Sequence, residues 1–338
     1  MPTVTPGCAV AAICLAALLV SPLNARADFS SPAPETHEAS ARTGGQSIAS
    51  KVAFTIRGAA GTKSPGTLTP TTTWTPPPCW YEPYWKARDF KKFMQAKWLM
   101  HSAAGGDGAE LASDQARLNG GHPYKDFNVA KNDDGMWWTA IDNTTLAGDA
   151  TATECTRDPF WVDKGDVPDV PRAISPEMLA GLAYQETQVP GTDVSMAPGG
   201  GTKVGLPTWI WLDRAEPKAV SATARLPEAG LWATATAEPV SLRVDPGTSE
   251  AETYPASGEC VIEGGSIGEP YARGKARETP PCGVRYLRAS GDASYELGAT
   301  LTWRMSWKGS GGTSGDLPDG AFGTGRAIAV QEIQAVNR

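Results

Sequence analysis

The clearest pattern of hydrophobic and polar residues lies between Tyr295 and Trp307. Every odd position in this segment is apolar, and the even positions are Glu, Gly, Thr, Thr, Arg and Ser. This period of two predicts a strand with one buried side and one solvent-facing side. At about 3.3 Å per residue the strand would exceed ~40 Å. We therefore expect a bend near Gly298, or a strand that passes from one sheet to another.

Other segments of the C-terminal half also predict strands. Residues 206–213 (LPTWIWLD) carry heavy side chains at successive positions, which is typical of a central or interfacial strand. Residues 240–244 alternate between apolar and polar before an Asp-Pro-Gly turn, and residues 328–333 supply a last strand. Strands joined by turns without intervening helices predict a β-sandwich over residues 206–338.

Helical spacing is concentrated between residues 74 and 205, which we expect to form an α+β region. One helix is predicted over residues 85–102 and a shorter one over 109–118. The first contains four apolar residues at helical spacing, Phe90, Phe93, Met94 and Trp98. A third helix is predicted to start at Ser175-Pro176-Glu177, because serine caps a helix, proline fits its first turn and an acid favours its positive end.

The N-terminus has the pattern of an export signal. An apolar run from Cys8 to Val20 is too short to span a bilayer and is followed by Ala25-Arg26-Ala27, a small-x-small cleavage pattern. We expect a signal peptide at residues 1–27 and a mature chain that is secreted or associated with the cell surface. No second long apolar run follows, so no membrane span is expected in the mature chain. Residues 28–73 are rich in Ser, Thr, Pro and Gly and predict a disordered leader, although residues 52–56 alternate and could form one short strand.

Four cysteines remain after the signal peptide: Cys79, Cys155, Cys260 and Cys282. An even number in an exported chain predicts two disulfides, and four cysteines allow three pairings. We favour Cys79–Cys155 and Cys260–Cys282, because each pair lies within one composition block. A zinc site is disfavoured, since the sequence has no C-x₂-C pair.

Composition and motifs argue against several function classes. The formal net charge is −7, and no basic stripe resembles a nucleic-acid footprint, so nucleic acid is not an expected partner. The basic cluster between Lys86 and Lys97 is interpreted as the solvent face of a helix. No G-x-G-x-x-G or P-loop pattern occurs, and no cofactor is expected. Residues 264–268 match G-x-S-x-G, but every histidine precedes them, so we interpret them as a Gly-rich loop.

Metal and acid chemistry have weak candidates. The three histidines, His37, His101 and His122, lack metal-ligand spacing, and His101 is interpreted as a satisfied residue at a helix end. Residues 132–135 (NDDG) lack the spacing of a calcium loop and predict a plain turn. Three acids near aromatic segments could supply the carboxylate pair of a glycosidase, and they are Glu82, Glu186 and Asp213.

Twelve tryptophans give the one positive functional signal, because aromatic rings stack on sugars and are frequent at binding hot spots. Four of them lie on predicted strands and are assigned to the core: Trp209, Trp211, Trp303 and Trp307. A Pro-rich segment carries the candidates for an exposed binding platform, Trp74, Trp80, Tyr81, Tyr84 and Trp85. Packing of these five against the sandwich is nevertheless the favoured interpretation, and the exposed platform is the alternative.

Seven segments together resemble a family of exported actinobacterial proteins of the Streptomyces type. They are PPCWYEPYWKARDF, DPFWVDKGDVPDVP, SPEMLAGLAYQ, GLPTWIWLD, AEPVSLRVDPG, PPCGVRYLRAS and LTWRMSWKGSGG. Residues 231–307 also resemble a polycystic-kidney-disease-type, immunoglobulin-like domain, with VSLRVDPG in place of its W-D-F-G-D-G stretch. The resemblance implies a mainly β protein with an α+β N-terminal region and a C-terminal immunoglobulin-like β-sandwich. It implies no catalytic residue.

The sequence therefore favours an exported, non-enzymatic scaffold, adhesion or binding protein of the cell envelope. Its expected partner is a cell-envelope protein or glycan. The alternatives are a carbohydrate-binding module and a carboxylate-dependent hydrolase of cell-wall or other polysaccharide.

Overall fold

The computed structural model describes residues 52–57, 66–70, 77–143, 155–192, 194–212 and 218–333. All of these residues belong to one unit that spans residues 34–338. The predicted signal peptide and most of the predicted leader lie outside the described residues, as do His37, Trp74 and Asp213.

The described residues are mainly β and form several antiparallel sheets. The helices are α1 (Ala87–Ala103), α2 (Gly108–Leu118) and α3 (Pro176–Gln185). The strands are β1 (Ala53–Arg57), β2 (Gly66–Thr67), β3 (Thr69–Pro70), β4 (Cys79–Trp85), β5 (Gly135–Asp142), β6 (Phe160–Asp163), β7 (Gln188–Val189), β8 (Val194–Ala197), β9 (Thr202–Lys203), β10 (Thr208–Leu212), β11 (Val220–Leu226), β12 (Leu231–Asp245), β13 (Ala251–Tyr254), β14 (Glu259–Glu263), β15 (Ser266–Ile267), β16 (Gly283–Tyr286), β17 (Tyr295–Gly309), β18 (Ser314–Ile328) and β19 (Val330–Gln331).

The largest sheet has the order β1-β11-β12-β17-β18-β3, with β14 and β15 beside β12. One face of β11 and β12 is lined by fully buried alanines, Ala222, Ala224, Ala233, Ala235 and Ala237. Such small side chains leave room for a helix, and α3 packs against β11, β12 and β17. The helix begins where the sequence predicts, because the Ser175 hydroxyl accepts a hydrogen bond from the backbone N–H of Met178 at 3.2 Å.

A second sheet has the order β13-β16-β10-β8. The disulfide Cys260–Cys282 joins it to the largest sheet, since Cys260 lies on β14 and Cys282 directly precedes β16. Buried residues of both sheets belong to one hydrophobic core, which includes Ile210, Val284 and Leu242. The second sheet is therefore fixed to the first by both apolar packing and a covalent link.

A third sheet, β4-β5-β6, carries α1 and α2 and a second, aromatic core. This core contains Phe90 and Met94 of α1, Leu118 of α2, and Phe127 and Trp137. The ring of Phe90 stacks on that of Trp137, with 4.2 Å between the centroids. The disulfide Cys79–Cys155 closes the N-terminal end of β4, so both disulfides have the favoured pairing.

The described parts of the predicted leader are not disordered. Residues 53–57 form β1, which pairs along its whole length with β11, and Phe54 is buried in the main core. Residues 66–67 and 69–70 form β2 and β3, and β3 pairs with β18. The short strand predicted at residues 52–56 is present as β1, whereas the strands at residues 66–67 and 69–70 pair with distant parts of the chain that sequence composition does not reveal.

The predicted boundary between residues 205 and 206 does not separate the sheets. Strand β8, before the boundary, pairs with β10 after it, and Trp209 lies opposite Ala197. Strand β1 likewise belongs to the sheet built by the C-terminal half. Short strands from both halves therefore share sheets.

The long amphipathic strand is confirmed as β17. Its buried positions alternate as predicted from Leu297 to Met305. The irregularities in its pairing lie opposite Pro239–Ser241 of β12 and between Trp303 and Met305 beside β18. At Gly298, where a bend was expected, the strand stays in register with both neighbours.

Candidate functional site

The predicted platform splits into buried and exposed rings. Trp80 and Tyr81 are 1% and 4% exposed and belong to the main core, which agrees with the packing favoured for them and leaves them out of any exposed platform. Tyr84 is 42% exposed and Trp85 is half-buried. The neighbouring Phe93 of α1, which the sequence placed on the apolar face of its helix, is 46% exposed. We call Tyr84, Trp85 and Phe93 the aromatic surface.

A bulge at the end of β4 creates the aromatic surface. Pro83 pairs with Trp138 of β5, and Trp85 pairs with the adjacent Trp137. Two steps along β4 thus correspond to one step along β5, so Tyr84 is an extra residue in β4. A bulged strand turns locally, and here two consecutive aromatic residues receive different environments. Pro83 has no backbone N–H to donate to a neighbouring strand, and proline is accordingly found at bulges and edge strands.

The ring of Trp85 contacts both of the other rings. Trp85 stacks on Phe93 with a centroid distance of 4.9 Å and an interplanar angle of 23°. Tyr84 lies at 4.3 Å from Trp85 in a tilted arrangement. Beneath them, Phe90 contacts Trp85 at 5.3 Å and stacks on Trp137. The outer rings therefore rest on a buried aromatic core and need little ordering when they bind a partner.

The aromatic surface continues along α1 as an apolar stripe. Phe93, Ala96 and Met100 have the spacing i, i+3, i+7, which places them on one side of a helix. Met100 is 67% exposed. Leu99 is 73% exposed and follows Ala96 by three residues, but it lies roughly 100° around the helix from Met100. Exposed apolar residues that share one side of a helix suit an interaction site.

Ion pairs surround the base of α1. Lys86 contacts Asp133 at 3.1 Å, Lys91 contacts Asp126 at 2.7 Å and Lys92 contacts Asp89 at 3.5 Å. The hydrogen bond from Lys86, with the charge of the same lysine, holds the pKa of Asp133 below its usual value. The basic cluster predicted as a solvent face thus has carboxylate partners at three of its lysines.

The Asn132–Gly135 turn has a structural role that fits the predicted plain turn. The Asn132 side-chain oxygen accepts a hydrogen bond from the backbone N–H of Arg88 at 3.0 Å. Lys86 precedes α1 without a side-chain cap, so Asn132 supplies an acceptor from a distant part of the chain. Among the described residues, no group of three or more His, Cys, Asp or Glu side chains could hold a metal ion.

The acidic candidates occupy separate structural positions. Glu82 is buried and accepts a hydrogen bond from the Trp80 indole N–H at 2.8 Å. Glu186 ends α3, where its backbone N–H donates to the carbonyl of Leu182. Asp163 is a further acid at an aromatic segment. The Trp161 indole N–H donates to Asp163 at 2.7 Å and, with Lys131, lowers the pKa of that carboxyl.

The remaining motifs also have local structural explanations. Gly264 and Gly265 have φ of 59° and 85° and form the turn of the β14–β15 hairpin, in which Glu263 pairs with Ser266. The G-x-S-x-G match is therefore a hairpin turn, as the Gly-rich loop interpretation expected. His101 ends α1 with its ring nitrogen 3.3 Å from the carbonyl of Asp107, and His122 is exposed.

Of the tryptophans assigned to the core, Trp209 and Trp303 are 2% and 0% exposed. Trp211 and Trp307 are half-buried. Phe93 and Met100 are the residues of the site that the sequence analysis missed. The i, i+3, i+7 spacing of Phe93, Ala96 and Met100 beside the buried stripe was the available signal.

Within the described part of the chain, no helix has the length and apolar character needed to cross a membrane. Comparison with known proteins finds no matching family model, no matching curated protein and no matching solved structure.

Proposed function

We propose that this chain is an exported, non-enzymatic binding protein that acts as a scaffold or adhesion component at the cell envelope or outside the cell. Its partner is a cell-envelope protein, and the contact is made by the aromatic surface and Met100. The proposed compartment is supported by the two disulfides, because disulfides persist in oxidising environments. Membership of the exported actinobacterial family and an immunoglobulin-like sandwich are part of the same proposal. The core shared by the two disulfide-linked sheets supports the sandwich.

The observation that carries the proposal is the exposed aromatic surface on a fixed aromatic core. Tyr84 and Phe93 are each more than two-fifths exposed, although both contact Trp85. Aromatic residues held in one conformation bury a large area on binding at a small cost in side-chain entropy. The stripe from Phe93 to Met100 covers two turns of α1, about 10 Å, which suits the side chain of a protein partner.

Glycan binding is the second candidate. Two exposed rings, those of Tyr84 and Phe93, contact Trp85, and sugar rings pack on aromatic faces. Met100 is not a ring, so a glycan site should depend on Tyr84 and Phe93 alone. This difference separates the two candidates experimentally.

The test uses three variants of the purified protein: Tyr84→Ser with Phe93→Ser, Met100→Ser, and the control Leu99→Ser. Each is crosslinked to isolated cell envelopes of the source organism and, separately, retained on purified wall polysaccharide. For a protein partner, we expect the crosslinked product to fall at least tenfold in the double variant and severalfold in Met100→Ser. The Leu99→Ser control, which removes an exposed apolar side chain of the same helix, should crosslink like the wild type.

For a glycan ligand, retention on the polysaccharide should fall only in the double variant. If the double variant binds like the wild type in both assays, the aromatic surface is not the binding site. Thermal unfolding checks that each variant is folded, and we expect small shifts because the substituted side chains are largely exposed.

A further inference from the structure

A long loop, residues 268–282, joins β15 to β16 without a helix or strand of its own. Loops of about 12–15 residues or more without secondary structure are uncommon in compact domains and are often functional. Both ends of this loop are fixed to β14. At the first end β15 pairs with β14, and at the second end Cys282 forms the disulfide with Cys260 of β14. We call residues 269–279, which lie between these two anchors, the strap.

The backbone of the strap is hydrogen-bonded only to itself in the described part of the chain. The Lys275 N–H donates to the carbonyl of Ala272 at 3.2 Å, and the Glu278 N–H donates to the carbonyl of Lys275 at 3.0 Å. Every residue of the strap except Lys275 is exposed. A segment with exposed backbone and few contacts opens at a small cost in free energy, without unfolding of the sheets that anchor it.

Two side chains of the strap contact a buried tryptophan of the second sheet, Trp209 of β10. The ring of Tyr271 meets the Trp209 ring edge-on at a centroid distance of 6.0 Å. The Lys275 ammonium lies 5.3 Å from the centroid of the same ring, a cation–π contact, and also pairs with the Glu269 carboxylate. Trp209 is 2% exposed, and its indole N–H has no hydrogen-bond partner among the described residues. A buried donor without an acceptor is unfavourable, and water that reached this N–H would supply one.

Arg273 is the basic residue of the strap that is best placed for recognition by a protease. Its side chain is exposed, and a Cβ at the following Gly274 would meet no atom within 4 Å, so the bond between the two residues lies in open space. Lys275 is held by its contacts, and Arg277 is followed by an acid, Glu278. Proteases that select basic residues bind them in an acidic pocket, which repels a neighbouring carboxylate.

We infer that the Arg273–Gly274 peptide bond is the cleavage site of a protease specific for basic residues, and that cleavage releases the strap from Trp209. Exposed loop tips are the preferred sites of such cleavage. Water is the only co-reactant: the C–N bond breaks, Arg273 gains a carboxylate and Gly274 gains an ammonium group. The Cys260–Cys282 disulfide spans the broken bond, so the two fragments remain one molecule. The inference does not depend on the role proposed for the aromatic surface.

The position of the cut explains why the strap is released. It separates Tyr271 and Glu269, on one new chain end, from Lys275 on the other. The hydrogen bond between Ala272 and Lys275 and the Glu269–Lys275 ion pair both span the cut. After cleavage these contacts join two separate chain ends and no longer close a loop, so both ends move away from Trp209 more readily.

Limited digestion of the purified full chain with trypsin under native conditions tests the inference. Among the described residues, we expect the first cut to follow Arg273, and N-terminal sequencing should identify a fragment that begins at Gly274. Without a reducing agent this fragment should stay attached to the rest of the chain, and reduction should release it. A first cut elsewhere in the described residues, with the strap intact, would overturn the inference.

Three variants test the roles assigned within the strap. Arg273→Gln should slow cleavage of the strap at least tenfold, whereas the matched control Arg277→Gln should be cut like the wild type. Lys275→Gln removes the contacts with Trp209 and Glu269 and should be cut severalfold faster after Arg273, because cleavage follows the population of the open strap. Cleavage of Arg273→Gln within the strap at the wild-type rate would show that Arg273 is not the recognised residue.

Hydroxyl-radical footprinting tests the release of Trp209. Oxidation of Trp209, measured by mass spectrometry, should rise severalfold in the cleaved protein. Oxidation of the fully buried Trp303 should not change, because its strand β17 lies in the other sheet and does not contact the strap through these residues. Unchanged oxidation of Trp209 after cleavage would overturn the release of the strap.

Discussion

At the scale of single residues, the most unusual feature is a run of three left-handed residues. Asp126, Phe127 and Asn128 have φ of 44°, 55° and 58°. Left-handed backbone costs roughly 1–2 kcal/mol per non-glycine residue, with asparagine and aspartate the best tolerated. Contacts of Phe127 offset this cost. Its ring is 1% exposed and contacts Phe90 and Trp98, and its carbonyl accepts a hydrogen bond from the Trp137 indole N–H at 3.0 Å.

The left-handed run predicts an unusual ranking of substitutions at Asn128, which is half-buried. Asn128→Ala should lower the free energy of unfolding by about 1 kcal/mol, because alanine is strained at positive φ. Asn128→Gly should stay within about 0.5 kcal/mol of the wild type, since glycine adopts this conformation freely. Urea unfolding followed by circular dichroism measures both. Equal losses for alanine and glycine would mean that the asparagine side chain, and not the backbone, stabilises the turn.

At the scale of elements, α1 depends on a residue outside it. Its Lys86 cap makes no side-chain hydrogen bond, and Asn132, 44 positions after Arg88, accepts the bond from the Arg88 N–H. Helix α2 is capped locally, since the Asp107 carboxylate accepts from the N–H of Ala109 at 2.8 Å. The first turn of α1, the helix that carries Phe93 and Met100, is therefore hydrogen-bonded to the loop before β5.

Asn132→Ala should consequently lower the free energy of unfolding by about 1 kcal/mol, the usual cost of a lost cap. Hydrogen exchange should also become faster in the first turn of α1. Gln95→Ala is the matched control, because Gln95 is exposed in the middle of the same helix and alanine is a better helix former. If exchange in the first turn of α1 does not change in Asn132→Ala, the distant acceptor does not stabilise this helix.

Elements with local signals could be predicted from the sequence. The Ser175 cap, the extents of α1 and α2 and the alternation of β17 depend on neighbouring residues, and all agree with the structure to within two residues at helix ends. The place of β1 in the sheet could not be predicted, because its partner β11 lies more than 160 positions away. Pairing at that distance depends on the whole sheet, which short apolar segments do not specify.

The exposure of residues in the candidate site could not be predicted from the sequence either. In the segment from Trp80 to Trp85 the aromatic residues are equivalent by composition, yet Trp80 and Tyr81 are buried and Tyr84 is exposed. The difference arises because the main core and the aromatic core cover β4 and its bulge falls at Tyr84.

At the scale of the whole molecule, the sheet β4-β5-β6 is common to both cores. Trp138 of β5 belongs to the main core, whereas its neighbour Trp137 belongs to the aromatic core. Tyr81 of β4 also forms a bridge with Ala173, just before α3. Because one sheet carries side chains of both cores, we expect the aromatic core to unfold together with the main core and not before it.

The disulfides provide a test of this cooperativity. Cys79–Cys155 closes a loop with a sequence separation of 76 and Cys260–Cys282 one of 22, so loop-closure entropy predicts losses of about 4.5 and about 3 kcal/mol when each pair is replaced by alanines. Hydrogen exchange in increasing urea should give residues 87–118 and 231–245 the same opening free energy in the wild type. Replacing Cys79 and Cys155 should lower both values by the same amount, because the weakened sheet belongs to both cores. A loss confined to residues 87–118 would instead show that α1 and α2 open as a separate unit, and the aromatic surface would then be held less rigidly than its packing indicates.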